Sequence, residues 1–227
     1  MQKGEEQKMT KKVLIITTNT SKITEEIPTG VYLQEFAEPY LTFKNAGYEI
    51  TVASPLGGES PVDPSSVLCE NPTEWDIALK ALRNTENLDD VDYEYYDAVF
   101  FPGGHGPMFD LANSHKVAKI VETFYINRKV IAAVCHGPAA LVLARKCDGT
   151  PFVEGKKMTC LSNREEQNSK LDEFMPFMLE DRLIELGAIM EFAEPTHAKI
   201  VEDGILITGQ NPASTQGVAD AVWKKLG

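Results

Sequence analysis

The sequence predicts an open, mainly parallel α/β sandwich, and three observations carry that prediction. Short apolar, β-branched runs recur along the chain, and most are followed by a stretch of helical periodicity. Two of the runs end directly in glycine-containing turns, where sheets of this kind place their binding sites. No repeat or linker divides the 227 residues, a length that suits one well-filled core. Residues 12–227 are expected to form a single domain, with the polar residues 1–11 a flexible extension.

Residues 12–18 (KVLIITT) read as a first central strand, apolar enough to be buried on both faces. Residues 30–45 space Val31, Leu33, Phe36, Tyr40, Leu41 and Phe43 as a helix that stops at Gly47. Residues 48–53 (YEITVA) complete a βαβ unit. The Gly-, Pro- and Ser-rich stretch 54–72 is too long for a tight connection and reads as a functional loop or lid.

A short helix over 75–83 precedes a buried strand at 97–101 (DAVFF), which runs into Pro102-Gly103-Gly104-His105-Gly106. A helix at 115–126 leads into the strand 129–134 (KVIAAV), then Cys135-His136-Gly137-Pro138 and a helix over 138–145. The last third predicts a hairpin within 152–161, an acidic helix entry at 163–166 and an amphipathic helix in 176–186. A strand at 205–208 and a terminal helix to residue 226 follow.

A net charge of −12 repels phosphate backbones and anionic lipid surfaces, so neither nucleic acid nor a membrane is an expected partner. The N-terminal residues contain no apolar run long enough for a signal peptide or a transmembrane helix. Cys69, Cys135, Cys147 and Cys160 show no CxxC spacing, which fits a reduced cytosolic compartment better than a disulfide framework.

Ala133-Val134-Cys135-His136-Gly137 matches the pattern of a nucleophile elbow: small residues flank a nucleophile on a sharp strand-to-helix turn. A helix N-terminus beneath the sulfur would lower the thiol pKa. The alternative is a buried, inert cysteine. The other three cysteines lack such a setting and read as structural.

His136 needs a third group to orient it, and Glu165 and Glu166 are candidates about thirty residues on, unless they only favour a helix N-terminus. Gly104 and His136 backbone N–H groups form an oxyanion hole if their strands are neighbours, with Gly103 beside them; the alternative is a structural Gly-Gly turn. His105 is either a polar wall of the same pocket or an exposed loop residue. Glu35 sits in the apolar first helix: facing the core, burial would raise its pKa and fit it for acid or base work, whereas on the surface face it is one more solvated charge, and periodicity does not decide between the two. None of the four histidines falls in a HExxH or HxH pair, so linear spacing supports no metal site.

AVCHGPAAL, the preceding PGGHG, the 30–58 segment and ITGQNPAS together resemble the ThiJ/PfpI superfamily of the class I glutamine amidotransferase-like fold. The resemblance covers the chain from about residue 12 onward and implies a flavodoxin-like three-layer sandwich. The 29–35 TG…E segment, CHGP, EGKxxT at 154–159 and the acidic pair look most like its class III glyoxalase and heat-shock chaperone branch.

That resemblance implies Cys135 as nucleophile, His136 as its partner, Glu35 as the acid beside the thiol and Glu166 as third triad member, Glu165 being one residue away. It further implies Gly104 and His136 as the oxyanion hole and no cofactor. The implied reaction is conversion of methylglyoxal, a small dicarbonyl, to lactate, and homodimers are frequent in the family. Deglycase, peptidase, holding-chaperone and redox-sensor roles are also implied for the family.

Overall fold

The computed structural model describes residues 10–67 and 71–227. In chain order the elements are β1 (Lys12–Ile16), α1 (Leu33–Asn45), β2 (Glu49–Ser54), α2 (Trp75–Leu82), β3 (Glu86–Asn87), β4 (Ala98–Phe101), α3 (His115–Ile126) and β5 (Val130–Val134). After these come β6 (Lys157–Met158), α4 (Asn163–Ser169), α5 (Leu179–Glu185), β7 (Ile189–Met190), β8 (Ile200–Asp203), β9 (Leu206–Gly209) and α6 (Thr215–Leu226).

Seven strands form one sheet in the order β3-β2-β1-β4-β5-β9-β8, parallel throughout except for β8 against β9. Alternation along the strands divides the core into two layers. Val13 and Ile15 face α1, α2 and α6, whereas Leu14 and Ile16 face α3 and the chain beyond β5. The result is the expected flavodoxin-like three-layer sandwich.

The chain winds outward from β1 through β2 and β3, then returns to place β4 on the other side of β1. Such a reversal opens a crevice beyond the strand ends. β4 and β5 are neighbours, with Phe101 opposite Ala133, so the turns that follow them meet.

Three expectations are corrected. The hairpin over 152–161 is absent: β6 pairs in parallel with the sequence-distant β7. Phe152, Val153 and Met158 are fully buried in the core, and that packing overrides a local turn-back. The helix over 138–145 is a five-residue 3₁₀ turn, Gly137–Leu141, and it is fully buried. Cys147 is exposed, on a turn where Lys146 N–H bonds to the Thr150 carbonyl, so it is no core residue.

Cys160 is buried, and Cys69 lies outside the described residues. β8 is additional; only Val201 of its four residues is buried, so its hydrophobic signal is faint, but Asp203-Gly204 supplies a hairpin turn.

The loop after β2 is tied to the start of α1. Val62 bridges Val31, Asp63 accepts from the Thr29 hydroxyl at 2.9 Å, and Ser66 Oγ accepts from Leu33 N–H at 2.9 Å. These contacts fix the first turn of the helix that carries Glu35. Residues 68–70 of the predicted loop are outside the described residues.

Candidate active site

Cys135 follows β5 with φ 60°, a left-handed conformation that a side chain adopts at a cost of about 1–2 kcal/mol. Its neighbours hold it there. Its N–H donates to the Gly209 carbonyl at 2.9 Å, and its own carbonyl accepts from Leu161 N–H at 2.9 Å. Gly137 has to be glycine: a Cβ there would lie 2.1 Å from the Phe101 carbonyl oxygen. The elbow read from sequence is therefore present, though only 5% of Cys135 is exposed.

Beyond β4, Gly103 N–H donates to Glu35 Oε2 at 2.8 Å, and the Gly103 carbonyl accepts from Tyr32 N–H at 3.0 Å. Gly104 has φ 95°, and a Cβ on it would lie 2.2 Å from the Gly30 carbonyl oxygen. The Gly104 N–H lies on the Cys135 side of the turn, where it favours the thiolate. The His136 backbone nitrogen lies in the same crevice, 2.7 Å from where a Gly103 Cβ would sit.

Glu35 is completely buried. Burial pushes its carboxyl up to about 8, against hydrogen bonds from the Cys135 thiol and Gly103 N–H that favour the anion. At neutral pH it keeps its proton. Burial, and then the adjacent Glu35, also push the Cys135 thiol well above its usual value.

This corrects the expected low thiol pKa. A single buried 3₁₀ turn follows the elbow and supplies little helix dipole to offset the loss of water. A thiolate is favoured only while Glu35 holds the shared proton.

On the other side of the sulfur, His136 Nδ1 lies 3.7 Å from Sγ and Nε2 lies 2.5 Å from Glu166 Oε2. Burial and then His105 hold the His136 pKa below its usual value, so the ring is neutral at pH 7. Burial opposes ionisation of Glu166, but His136 and His105 prevail and hold its carboxyl well below the usual range.

An ionised carboxylate only accepts, so Nε2 carries the imidazole proton and Nδ1 presents a lone pair to the sulfur. His105 Nε2 meets Glu166 Oε1 at 2.9 Å, and the two histidine rings lie 4.4 Å apart. His105 is thus a wall of this site and no free loop residue.

Glu165 points elsewhere. It closes a capping box with Ser162 and accepts from Thr196 N–H, Gln210 and Asn211, which ties the entry of α4 to the loops around it. The structure therefore brings Glu35, Gly103, Gly104, His105, Cys135, His136 and Glu166 together and leaves Glu165 outside.

Two neighbours go beyond the sequence reading. Ser169 Oγ lies 3.2 Å from Glu166 Oε1, and its signal is i,i+3 spacing on α4. Tyr32, half-buried, lies near Cys135 and Glu35, inside the TG…E segment. His105, His136 and Glu166 also place three potential metal-donor atoms within 4.8 Å of one another, a cluster built from segments far apart in sequence.

Among known proteins, Glyoxalase 3 of Candida albicans is 31% identical to this chain over 94% of its residues and 97% of the relative's. A crystal structure of glyoxalase III from the same organism superposes with TM-score 0.86 at 30% identity, covering 94% of this chain and 96% of that one. The structure of Rapid Encystment Protein 24 kDa from Francisella tularensis superposes with TM-score 0.91 at 34% identity, covering 96% and 99%. The DJ-1/PfpI family profile matches residues 11–225, and with nearly every described residue inside that match the chain belongs to the DJ-1/PfpI family.

Proposed function

We propose that this protein is a glutathione-independent glyoxalase that converts methylglyoxal to lactate. One observation carries the reading. The Cys135 sulfur stands between a neutral carboxylic acid, Glu35, and an imidazole whose lone pair is freed by Glu166. Its relatives named as glyoxalases support the same chemistry.

The sulfur adds to the aldehyde carbon while His136 Nδ1 takes the thiol proton, and the new oxygen is held by the Gly104 and His136 N–H groups. His136 passes that proton to the new oxygen, and its freed Nδ1 then removes the proton from the same carbon and delivers it to the neighbouring one through an enediol, while Glu35 protonates the ketone oxygen and recovers a proton as the first oxygen becomes the thioester carbonyl. The product is a lactoyl thioester on Cys135. Water cleaves the thioester, releasing lactate and restoring the thiol. The electron pair moves within the substrate, so the reaction needs no cofactor.

A small dicarbonyl substrate is supported by the relatives named as glyoxalases. The Gly103 and Gly104 backbone packs directly against Glu35, the His136 nitrogen and the Gly30 carbonyl, which fixes the N–H groups in place. The reading includes a cytosolic location and a possible homodimer. Among the described residues, no helix is long and apolar enough to cross a membrane. A redox-sensor role is less well supported, because a nearly buried thiol with a raised pKa is a poor target for mild peroxide.

The test is product analysis of methylglyoxal incubated with wild-type protein and with Cys135→Ala, without glutathione. Lactate from the wild type alone supports the reading. Equal turnover by the variant rejects covalent catalysis at Cys135.

A further inference from the structure

The geometry points to a second use of the polar cluster behind the sulfur: His105, His136 and Glu166 form a site for a Zn²⁺-like divalent cation whose binding switches the thiol site off. Two imidazole nitrogens and a carboxylate, with a fourth position open, are the donor set that zinc accepts in three-residue sites. All three donors lie within 4.8 Å of one another.

Tetrahedral zinc with bonds of about 2.0–2.1 Å needs its donors about 3.3 Å apart. His136 and Glu166 are already inside that spacing, as are His105 and Glu166. Only the two rings have to close, and His105 is carried on a loop.

Several further features fit a cation. Ser169 Oγ lies against Glu166 Oε1, the kind of outer contact that orients a ligating carboxylate. Asp63 adds negative potential at His136. The His105 side chain is 14% exposed, against 1% for His136, which gives an entry from the His105 side.

The sulfur is not part of this donor set, because it faces Nδ1, on the other edge of the His136 ring from Nε2. Binding takes the Nε2 lone pairs, so the proton of the neutral His136 ring moves from Nε2 to Nδ1, and the edge facing the sulfur becomes a donor that cannot take the thiol proton. Glu166 then balances the metal instead of polarising His136.

Inhibition as a consequence rests on the glyoxalase reading; binding does not. The purified protein is titrated with Co²⁺ and followed by its visible d–d absorption, then with Zn²⁺ in competition. One equivalent is expected to bind. His105→Gln and Glu166→Gln should each weaken binding at least about tenfold, the scale seen when metal-site partners are lost. Cys135→Ser and the exposed-histidine variants His115→Gln and His197→Gln should bind as the wild type does.

Far-UV circular dichroism checks that each variant folds. X-ray absorption of the wild-type Zn²⁺ complex gives an answer that needs no variant: a shell of nitrogen and oxygen with imidazole scattering is expected. A sulfur scatterer, or binding unchanged in a folded His105→Gln protein, overturns the site.

Turnover of methylglyoxal with and without saturating Zn²⁺ separates the two ideas. Lactate formation that falls at least about tenfold and returns with a chelator supports both. One-equivalent binding in a protein that makes no lactate keeps the site and rejects the glyoxalase. Normal turnover that Zn²⁺ leaves untouched, with no one-equivalent Co²⁺ spectrum, does the reverse.

Discussion

Glu166 Oε2 accepts a hydrogen bond from His136 Nε2 at 2.5 Å, and this contact decides which edge of the imidazole is basic. Glu166→Gln presents an amide that can bond either ring tautomer, so the lone pair is no longer fixed at Nδ1. The expected result is a fall in kcat of about 10²- to 10⁴-fold, the range of general acid–base contributions, with a much smaller change in KM. Steady-state lactate formation is the measurement, and a variant that keeps wild-type kcat removes Glu166 from the mechanism.

The adjacent Glu165 should behave oppositely. Glu165→Ala leaves Thr196 N–H and the Gln210 and Asn211 amides short of an acceptor and opens the capping box on Ser162. Stability should fall by about 1–3 kcal/mol, read as a lower urea midpoint. Activity per folded molecule should drop far less than in Glu166→Gln.

The Glu35 carboxyl, raised to about 8, gives a pH dependence of definite sign. Between its ordinary value near 4.5 and about 8, the folded state holds a proton that the unfolded chain has released. The stabilisation it contributes is complete below 4.5 and declines by about 1.4 kcal/mol per pH unit up to about 8. Denaturant melts across this window should show the slope, and Glu35→Gln should flatten it.

Turnover carries the same signature. As pH rises through about 8, Glu35 becomes an anion beside the sulfur, and formation of the thiolate becomes harder. The rate kcat/KM should therefore decline on the alkaline side. If Glu35→Gln retains activity and the same alkaline limb, that limb belongs to another group.

The left-handed backbone at Cys135 can be weighed directly. Cys135→Ala and Cys135→Gly both remove the sulfur, but only glycine tolerates φ 60° freely. The glycine variant should be the more stable by about 1 kcal/mol, net of its larger unfolded-state entropy. Equal melting midpoints would mean that the elbow is unstrained.

The central sheet was legible because strands such as 12–18 and 97–101 are continuous apolar runs, and such runs mark buried parallel strands locally. β6 was not, since its partner β7 begins about thirty residues later and no turn residue announces the pairing. At the site, Cys135 and the glycines were readable because a sharp turn restricts residue type.

The choice between Glu165 and Glu166 was unreadable from the residues alone. Both sit in the first turn of α4, about 100° apart around its axis, and only the direction of the helix against β5 decides which carboxylate reaches His136. The raised thiol pKa was likewise hidden, because burial belongs to the assembled core.

The amide of Cys135 is held by the carbonyl of Gly209, eighteen residues from the end of the chain. During synthesis the sulfur emerges from the ribosome some seventy residues before the clamp that shapes it. A growing polypeptide therefore carries an ordinary cysteine, and the reactive one comes into being only when the last parallel strand docks.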